Sequence, residues 1–305
     1  MNAACRLVRE LYRVWRVTDL RTFFTYLVNV IMLFPTIVRS QSLVAADQAM
    51  RKSMCRFRMG RGKALQIDGA YFSGAREIYC RRVYFAITGF DIWSEDISVD
   101  LGANVGLFTT LAASRGKKVI SIEAQSGFIP MIGHNLRENH CSQKASVELG
   151  IVGSNKGLLS DPSARKKASH WVDEPRVLSL PELFRRHSIT RVDFLKVDIE
   201  GSEFDLFSGD IGWLRKVEKI AMEVHPSYGE VSTIKSTLEN AGFRVWLLDA
   251  NQRRVTQLTQ SSGYVFAKRL ESEANRLPPP NEFAAHRTSL GQTGSSEVRP
   301  ADGLR

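Results

Sequence analysis

The chain has 305 residues, room for one domain of about 200–250 residues with extensions. Its 43% hydrophobic content excludes a disordered polymer, and 42 Lys and Arg against 32 Asp and Glu give a net charge of +10, which suits polyanionic partners or an anionic membrane surface. Cys5, Cys55, Cys80 and Cys141 are scattered with no C-x-x-C pair, which excludes a disulfide framework and a cysteine zinc site and leads us to expect reduced thiols in a cytoplasmic protein.

Residues 1–50 read as a helical, basic and apolar extension, carrying Arg6, Arg9, Arg13, Arg16 and Arg21 against Glu10 and Asp19. The apolar stretch from Leu20 to Val38 is broken by Arg21, Asn29 and Pro35, so its clean core is only Phe23 to Phe34. A spanning helix needs about 20 apolar residues, and no persuasive signal-cleavage site follows. Two readings lead, a helix docked on the domain behind it or one lying on a membrane surface with the arginines assisting, and a full transmembrane anchor is the third. Residues 51–95 form a lead-in, a strand hairpin over Arg56–Phe72 around Gly60 and Gly62 and then a helix over Ala75–Ala86.

From residue 96 to 270 strands and helices alternate: Ile97–Leu101, Val105–Arg115, Val119–Glu123, Phe128–Asn139, Val147–Val152. An insert, Gly153 to Arg176, contains Arg165-Lys166-Lys167 and Trp171 and is the expected place for acceptor recognition. A helix near Pro181–Arg186, a strand Val192–Asp198, a short helix at Phe204, a strand Val217–Val224 and a helix Val231–Ala241 follow. Two strands, Phe243–Asp249 and Gly263–Ala267, close the domain. Alternation implies a mostly parallel sheet, and two final strands without a helix between them imply an antiparallel last strand. Residues 271–305, with Pro278-Pro279-Pro280 and little periodicity, read as a disordered tail.

Two segments carry the chemistry. In Val99-Asp100-Leu101-Gly102-Ala103-Asn104-Val105-Gly106, a buried strand ends in a carboxylate and a glycine turn that opens a helix. Gly102 and Gly106 bracket the turn, where a nucleotide-like ligand can lie on bare backbone. A dinucleotide turn would read G-x-G-x-x-G, whereas Asn104 stands where its second glycine belongs. The next strand ends in Glu123, which can accept ribose hydroxyls of several cofactors.

The second segment, Val192-Asp193-Phe194-Leu195-Lys196-Val197-Asp198-Ile199-Glu200-Gly201-Ser202-Glu203, resembles the signature of FkbM-family methyltransferases. The resemblance runs from about Phe57 to Lys268 and takes in Glu77-Ile78-Tyr79, the Asp100 turn, Glu123 and Met222-Glu223-Val224-His225. The chain departs from the family at Ala124-Gln125, where a proline is common, and at Ser179-Leu180-Pro181-Glu182, in place of Leu-Asp-Asp. The resemblance implies an α/β class I methyltransferase (Rossmann-like) fold and S-adenosyl-L-methionine as cofactor, bound by Asp100, Gly102, Asn104, Gly106 and Glu123. It also implies methyl transfer to a hydroxyl, often on a sugar, a glycan or a natural product.

Asp198, Glu200 and His225 are the expected catalytic residues, at the ends of adjacent strands. An alcohol is a poor nucleophile until a base or metal draws off its proton. His225, whose ordinary pKa is near neutrality, is the expected base. Asp198 and Glu200 would orient the acceptor or share a divalent cation with it. A histidine that merely packs before Pro226 is the alternative. For Lys196 an ion pair with Asp100 is expected. A nucleic-acid methyltransferase would use the positive charge on phosphates, but the chain has neither a D/N-P-P-Y/F segment nor a Pro-Cys for carbon attack. A non-catalytic adaptor would not need every cofactor position filled.

Overall fold

A computed structural model describes residues 3–60, 63–153, 176–259 and 262–270. The insert residues 154–175, Trp171 among them, and the tail lie outside the described residues. The centre is an eight-stranded sheet built on four apolar strands: β3 (Ile97–Leu101), β4 (Lys118–Glu123), β8 (Phe194–Val197) and β9 (Lys219–Val224). Each is buried along nearly its whole length, as strands covered on both faces must be.

The sheet order is β11-β10-β12-β9-β8-β3-β4-β5, with β5 at Ala145–Leu149, β10 at Phe243–Asp249, β11 at Arg254–Val255 and β12 at Gly263–Arg269. The strands from β5 to β9 pair in parallel. β12 is antiparallel to both β9 and β10, between which it inserts. The antiparallel last strand is therefore as expected, although it lies inside the sheet; only the two-residue β11 stands beyond β10. Gly150 separates β5 from β6 (Ile151–Val152), which pairs instead with β7 (Val177–Leu178).

Side chains alternate across the sheet. Phe194 and Phe266 enter one core with Phe108, Leu111 and Ile132, from α6 (Leu107–Arg115) and α7 (Ile129–Glu138). Leu195 and Val197 enter the other with Leu183 of α8 (Leu180–Arg186) and Leu238 of α10 (Val231–Asn240). The short α9 is Glu203–Leu206.

The N-terminal region completes the first core. α1 (Ala3–Val17), α2 (Leu20–Met32), α3 (Phe34–Ser40) and α4 (Val44–Ala49) contribute Val14, Tyr26, Val30, Ile37 and Ala46. Asp19 caps α2, its carboxylate accepting from the Thr22 amide at 2.9 Å. The hairpin β1 (Met54–Gly60) and β2 (Lys63–Asp68) turns Cys55, Phe57, Leu65 and Ile67 inward. The helix expected over Ala75–Ala86 is instead a four-residue α5 (Phe72–Ala75), a π-helical stretch at Arg76–Arg81 and a 3-10 turn at Val83–Phe85. Arg82 breaks it in the left-handed region at φ 56°, and the 3-10 turn brings Tyr84 over the end of the sheet. Contacts join the described residues between positions 3 and 270 in one compact unit.

Candidate active site

The chain runs from β3 outward to β5 and then returns to β8 and β9, so strand order reverses between β3 and β8. Ligands of open α/β sheets sit at the carboxyl ends of the strands beside such a reversal. Here those ends are Gly102–Asn104 and Asp198–Glu200. They press together tightly: a Cβ on Gly102 would lie 1.7 Å from the Asp198 carbonyl oxygen. At φ +78° this position accepts only glycine.

Lys196 locks the same junction from below. Its ammonium lies 3.1 Å from Asp100 and 3.6 Å from Asp198, and it donates to the Gly102 carbonyl at 2.6 Å. Burial alone would lower its pKa, but the two carboxylates outweigh burial and hold the charge above its ordinary value. Asp100 is fully buried and also accepts from Thr109 Oγ1 at 2.7 Å. The ion pair expected between Lys196 and Asp100 is thus present, and Asp100 anchors the turn from beneath.

Glu123, at the end of β4, spans the turn with both oxygens. One accepts from the Asn104 amide at 2.6 Å and the other from the Gln125 amide at 2.8 Å. Burial raises its pKa, against the pull of these two amides. Asn104 adopts φ 51°, and its side-chain oxygen accepts from the Val105 amide at 2.7 Å. Asparagine enters the left-handed region more readily than most residues, which accounts for its place here.

Two cavities open at this junction. One, of about 140 Å³, runs between the Asn104 turn, Glu123, Ile151 and Glu200. The other, of about 280 Å³, is lined by Glu77, Tyr84, Phe108, Lys196 and Glu223. Gly102, Asn104 and Asp198 line both. Asp198 accepts from the Tyr84 hydroxyl at 2.8 Å, and the Tyr264 hydroxyl donates to Glu77 at 3.3 Å.

Glu223 is the residue that sequence reasoning passed over. Burial first, then Asp198 and Glu77, push its carboxyl up to about 8. Its signal was an acid set between Met222 and Val224 in a mainly apolar strand. What could not be read there is the pairing of β9 with β12, which sets Glu223 against Tyr264.

The structure brings together some expected site residues and sets others apart. Asp198 lines both cavities and Glu200 the first. Glu200 sits at φ 54° with its side chain largely exposed. Gly106 lines neither; a Cβ there would lie 2.9 Å from Ile132, so the glycine lets α6 pack on α7. His225 also lines neither. Its Nδ1 lies 3.2 Å from Glu203, which is fully buried, and its Nε2 3.5 Å from Glu200. The bond to Glu203, opposed by burial, raises its pKa to about 9. Its imidazole is thus turned to these two acids and away from both cavities. Among the described residues, Asp198, Glu200 and His225 do not converge as a metal-ligand group.

The reversal at β3 and β8, the antiparallel strand inserted next to β9 and the acid-lined ends of four parallel strands define a class I methyltransferase fold. Residues 100–245 match the family model described as the methyltransferase FkbM domain. The chain is 25% identical over 211 residues to a 31-O-demethyl-FK506 methyltransferase of Streptomyces tacrolimicus, an alignment covering 56% of this chain and 80% of the relative. It is 26% identical over 96 residues to ribosomal RNA small subunit methyltransferase A of Clostridium perfringens, covering 31% of this chain and 34% of the relative. The chain therefore spans about a third of the length of that relative. Similar solved structures include an rRNA methylase from Streptococcus thermophilus, with TM-score 0.37, 14% identity and coverage of 63% and 96% of the two chains. Another is the METTL16 methyltransferase domain, with TM-score 0.42, 13% identity and coverage of 64% and 67%. Strand order, rather than these superpositions, carries the fold.

Proposed function

We propose that the protein is an S-adenosylmethionine-dependent methyltransferase that methylates a hydroxyl group of a glycan or natural product, with Glu223 as the base. The observation that carries the reading is the pair of cavities meeting at Asp198, one walled by Glu123 and the other by Glu223. Each Glu123 oxygen accepts one backbone amide, and a carboxylate has about four acceptor sites, so two stay available to ribose hydroxyls. When bound, the cofactor supplies a methyl group on a sulfonium, which departs as a neutral thioether.

The protein's part is alignment and proton removal. Glu223 takes the acceptor's hydroxyl proton as the new oxygen–carbon bond forms, and Tyr84 and Lys196 hold Asp198 in place at the junction. A carboxyl with a pKa about 8 is a far stronger base than an exposed carboxylate and is still partly ionised at neutral pH. His225 acts as a positioning residue for the Glu200 turn. The Streptomyces tacrolimicus relative, whose name describes a 31-O-demethyl compound, favours an oxygen acceptor.

Calorimetric titration with S-adenosylhomocysteine should show binding that Glu123→Ala weakens by about 1–3 kcal/mol. Preferential binding of NAD would overturn the cofactor assignment. Methyl incorporation into RNA, in place of a panel of hydroxyl compounds, would overturn the acceptor.

A further inference from the structure

The N-terminal helices have two apolar faces, and the core covers only one. On α2, Thr22, Tyr26 and Val30 are buried, while Leu20, Phe24, Val28 and Ile31 point outward at helical spacing on the opposite side. Phe24 is 55% exposed, Ile31 62% and Met32 75%. The same division recurs on α1, where Val14 is buried and Val8, Tyr12 and Trp15 are exposed, and on α3, where Ile37 is buried and Phe34 and Val38 are exposed. Ten of the sixteen exposed large apolar side chains among the described residues fall between positions 8 and 38. Scattered singly they would need no account, but concentrated in three consecutive helices they mark an interaction region.

The charge left unpaired beside this face is basic, although Glu10 also lines the groove between α1 and α3. Arg6, Arg9, Arg16, Arg21 and Arg39 have no ion pair among the described residues. The nearby acids are committed: Glu10 pairs with Arg13 and Arg76, and Asp19 caps α2. Between α1 and α3 lies a groove of about 680 Å³ with Val8, Phe34 and Val38 as apolar wall and Arg6 and Arg9 beside it. The Arg9 Nε is buried and has no hydrogen-bond partner among the described residues. Apolar wall and uncompensated cation together fit an amphiphile with an anionic head.

Among the described residues no single helix is long and apolar enough to cross a membrane, and α2 with α3 passes only as a pair bent by 72°. Because one face of that pair is packed on the core, lipid can reach only the other. That is the geometry of helices lying in the interface plane.

We infer that α1–α3 form a docking face for bilayers containing anionic phospholipid, with a lipid phosphate seated at Arg6 and Arg9. The face requires no particular methyl acceptor, and its test is independent of the cofactor site. The full chain would be centrifuged with phosphatidylcholine vesicles and with vesicles about one quarter phosphatidylglycerol, at low and high salt. It should pellet with the anionic vesicles, and salt should weaken binding as counter-ions screen the arginines. Arg9→Ala should weaken it about fivefold, the order expected for one basic side chain near an anionic surface. Phe24→Asp and Ile31→Asp, at exposed positions that leave the core intact, should each weaken it about tenfold or more. S-adenosylhomocysteine affinity, measured on the same samples, should not move and reports that each variant is folded. Absence of pelleting, or pelleting insensitive to Phe24→Asp and Ile31→Asp, would overturn the inference. So would a concentration-dependent dimer that these substitutions abolish, which would make the face a protein interface.

Discussion

Glu223 and His225 are two residues apart on one strand end, and burial acts on them in opposite senses. Burial raises the Glu223 carboxyl to about 8 from an ordinary 4.5. At His225 burial would lower the pKa, but the Glu203 bond outweighs it and raises it to about 9 from 6.5. Glu223→Gln should lower turnover by about 10²–10⁴-fold, the range of a general base, with S-adenosylhomocysteine affinity near wild type. The wild-type rate should climb with pH through about 8, and a flat profile would exclude Glu223 as the base. Stability moves the other way. A histidine whose pKa is raised on folding stabilises fully below 6.5, and that contribution is lost as pH rises through about 9. A glutamate raised on folding costs stability progressively between 4.5 and about 8, because the unfolded chain releases its proton first. Urea midpoints should therefore fall from pH 6.5 to 9, and His225→Gln should flatten that slope. An unchanged slope in the variant would show that His225 is not the protonated partner of Glu203.

Elements meet at the site through contacts that are short in space and long in sequence. Gly102→Ala is expected to cost about 2–4 kcal/mol, since it sets a Cβ against the Asp198 carbonyl in a left-handed conformation. Urea unfolding measures this, and wild-type stability would mean that the β3 and β8 ends are free to part. The individual strands were legible in the sequence because an apolar run bounded by turn residues is a local signal. So were Asp100, Glu123 and Asp198, each at a strand's carboxyl end. The purpose of the glycines was not legible: Gly102 makes room for a carbonyl ninety-six positions away, and Gly106 makes room for Ile132. Nor was Tyr84, because the helix expected over Ala75–Ala86 hides a π-helical stretch and the Arg82 reversal that aims its hydroxyl at Asp198. Nor was the buried Glu203 that His225 meets, because sequence neighbours show strand position but not what lies behind it.

At the scale of the whole molecule, the N-terminal helices are both wall and surface, so shortening the chain and altering its exposed face should have different consequences. Tyr26 is fully buried, packs with its ring centroid 4.8 Å from that of Phe72 in a tilted contact, and donates to Asp47 at 3.1 Å. Asp47 in turn pairs with Arg76 at 2.8 Å, and Arg76 reaches Glu10 at 2.9 Å. This network ties α1, α2 and α4 to the segment that leads into Tyr84. Removing residues 1–45 would expose Phe57 and Phe72 and strip Arg76 of one of its two carboxylates. Tyr26→Ala alone should cost about 3–5 kcal/mol, the range for emptying a buried aromatic site. Unfolding in urea, followed by tryptophan fluorescence, should show the truncated chain melting earlier still, with S-adenosylhomocysteine binding lost where Tyr84 is no longer held over Asp198. A truncated chain with the wild-type midpoint and cofactor affinity would instead make the helices an independent appendage, and the coupling of the N-terminal region to the site would fail.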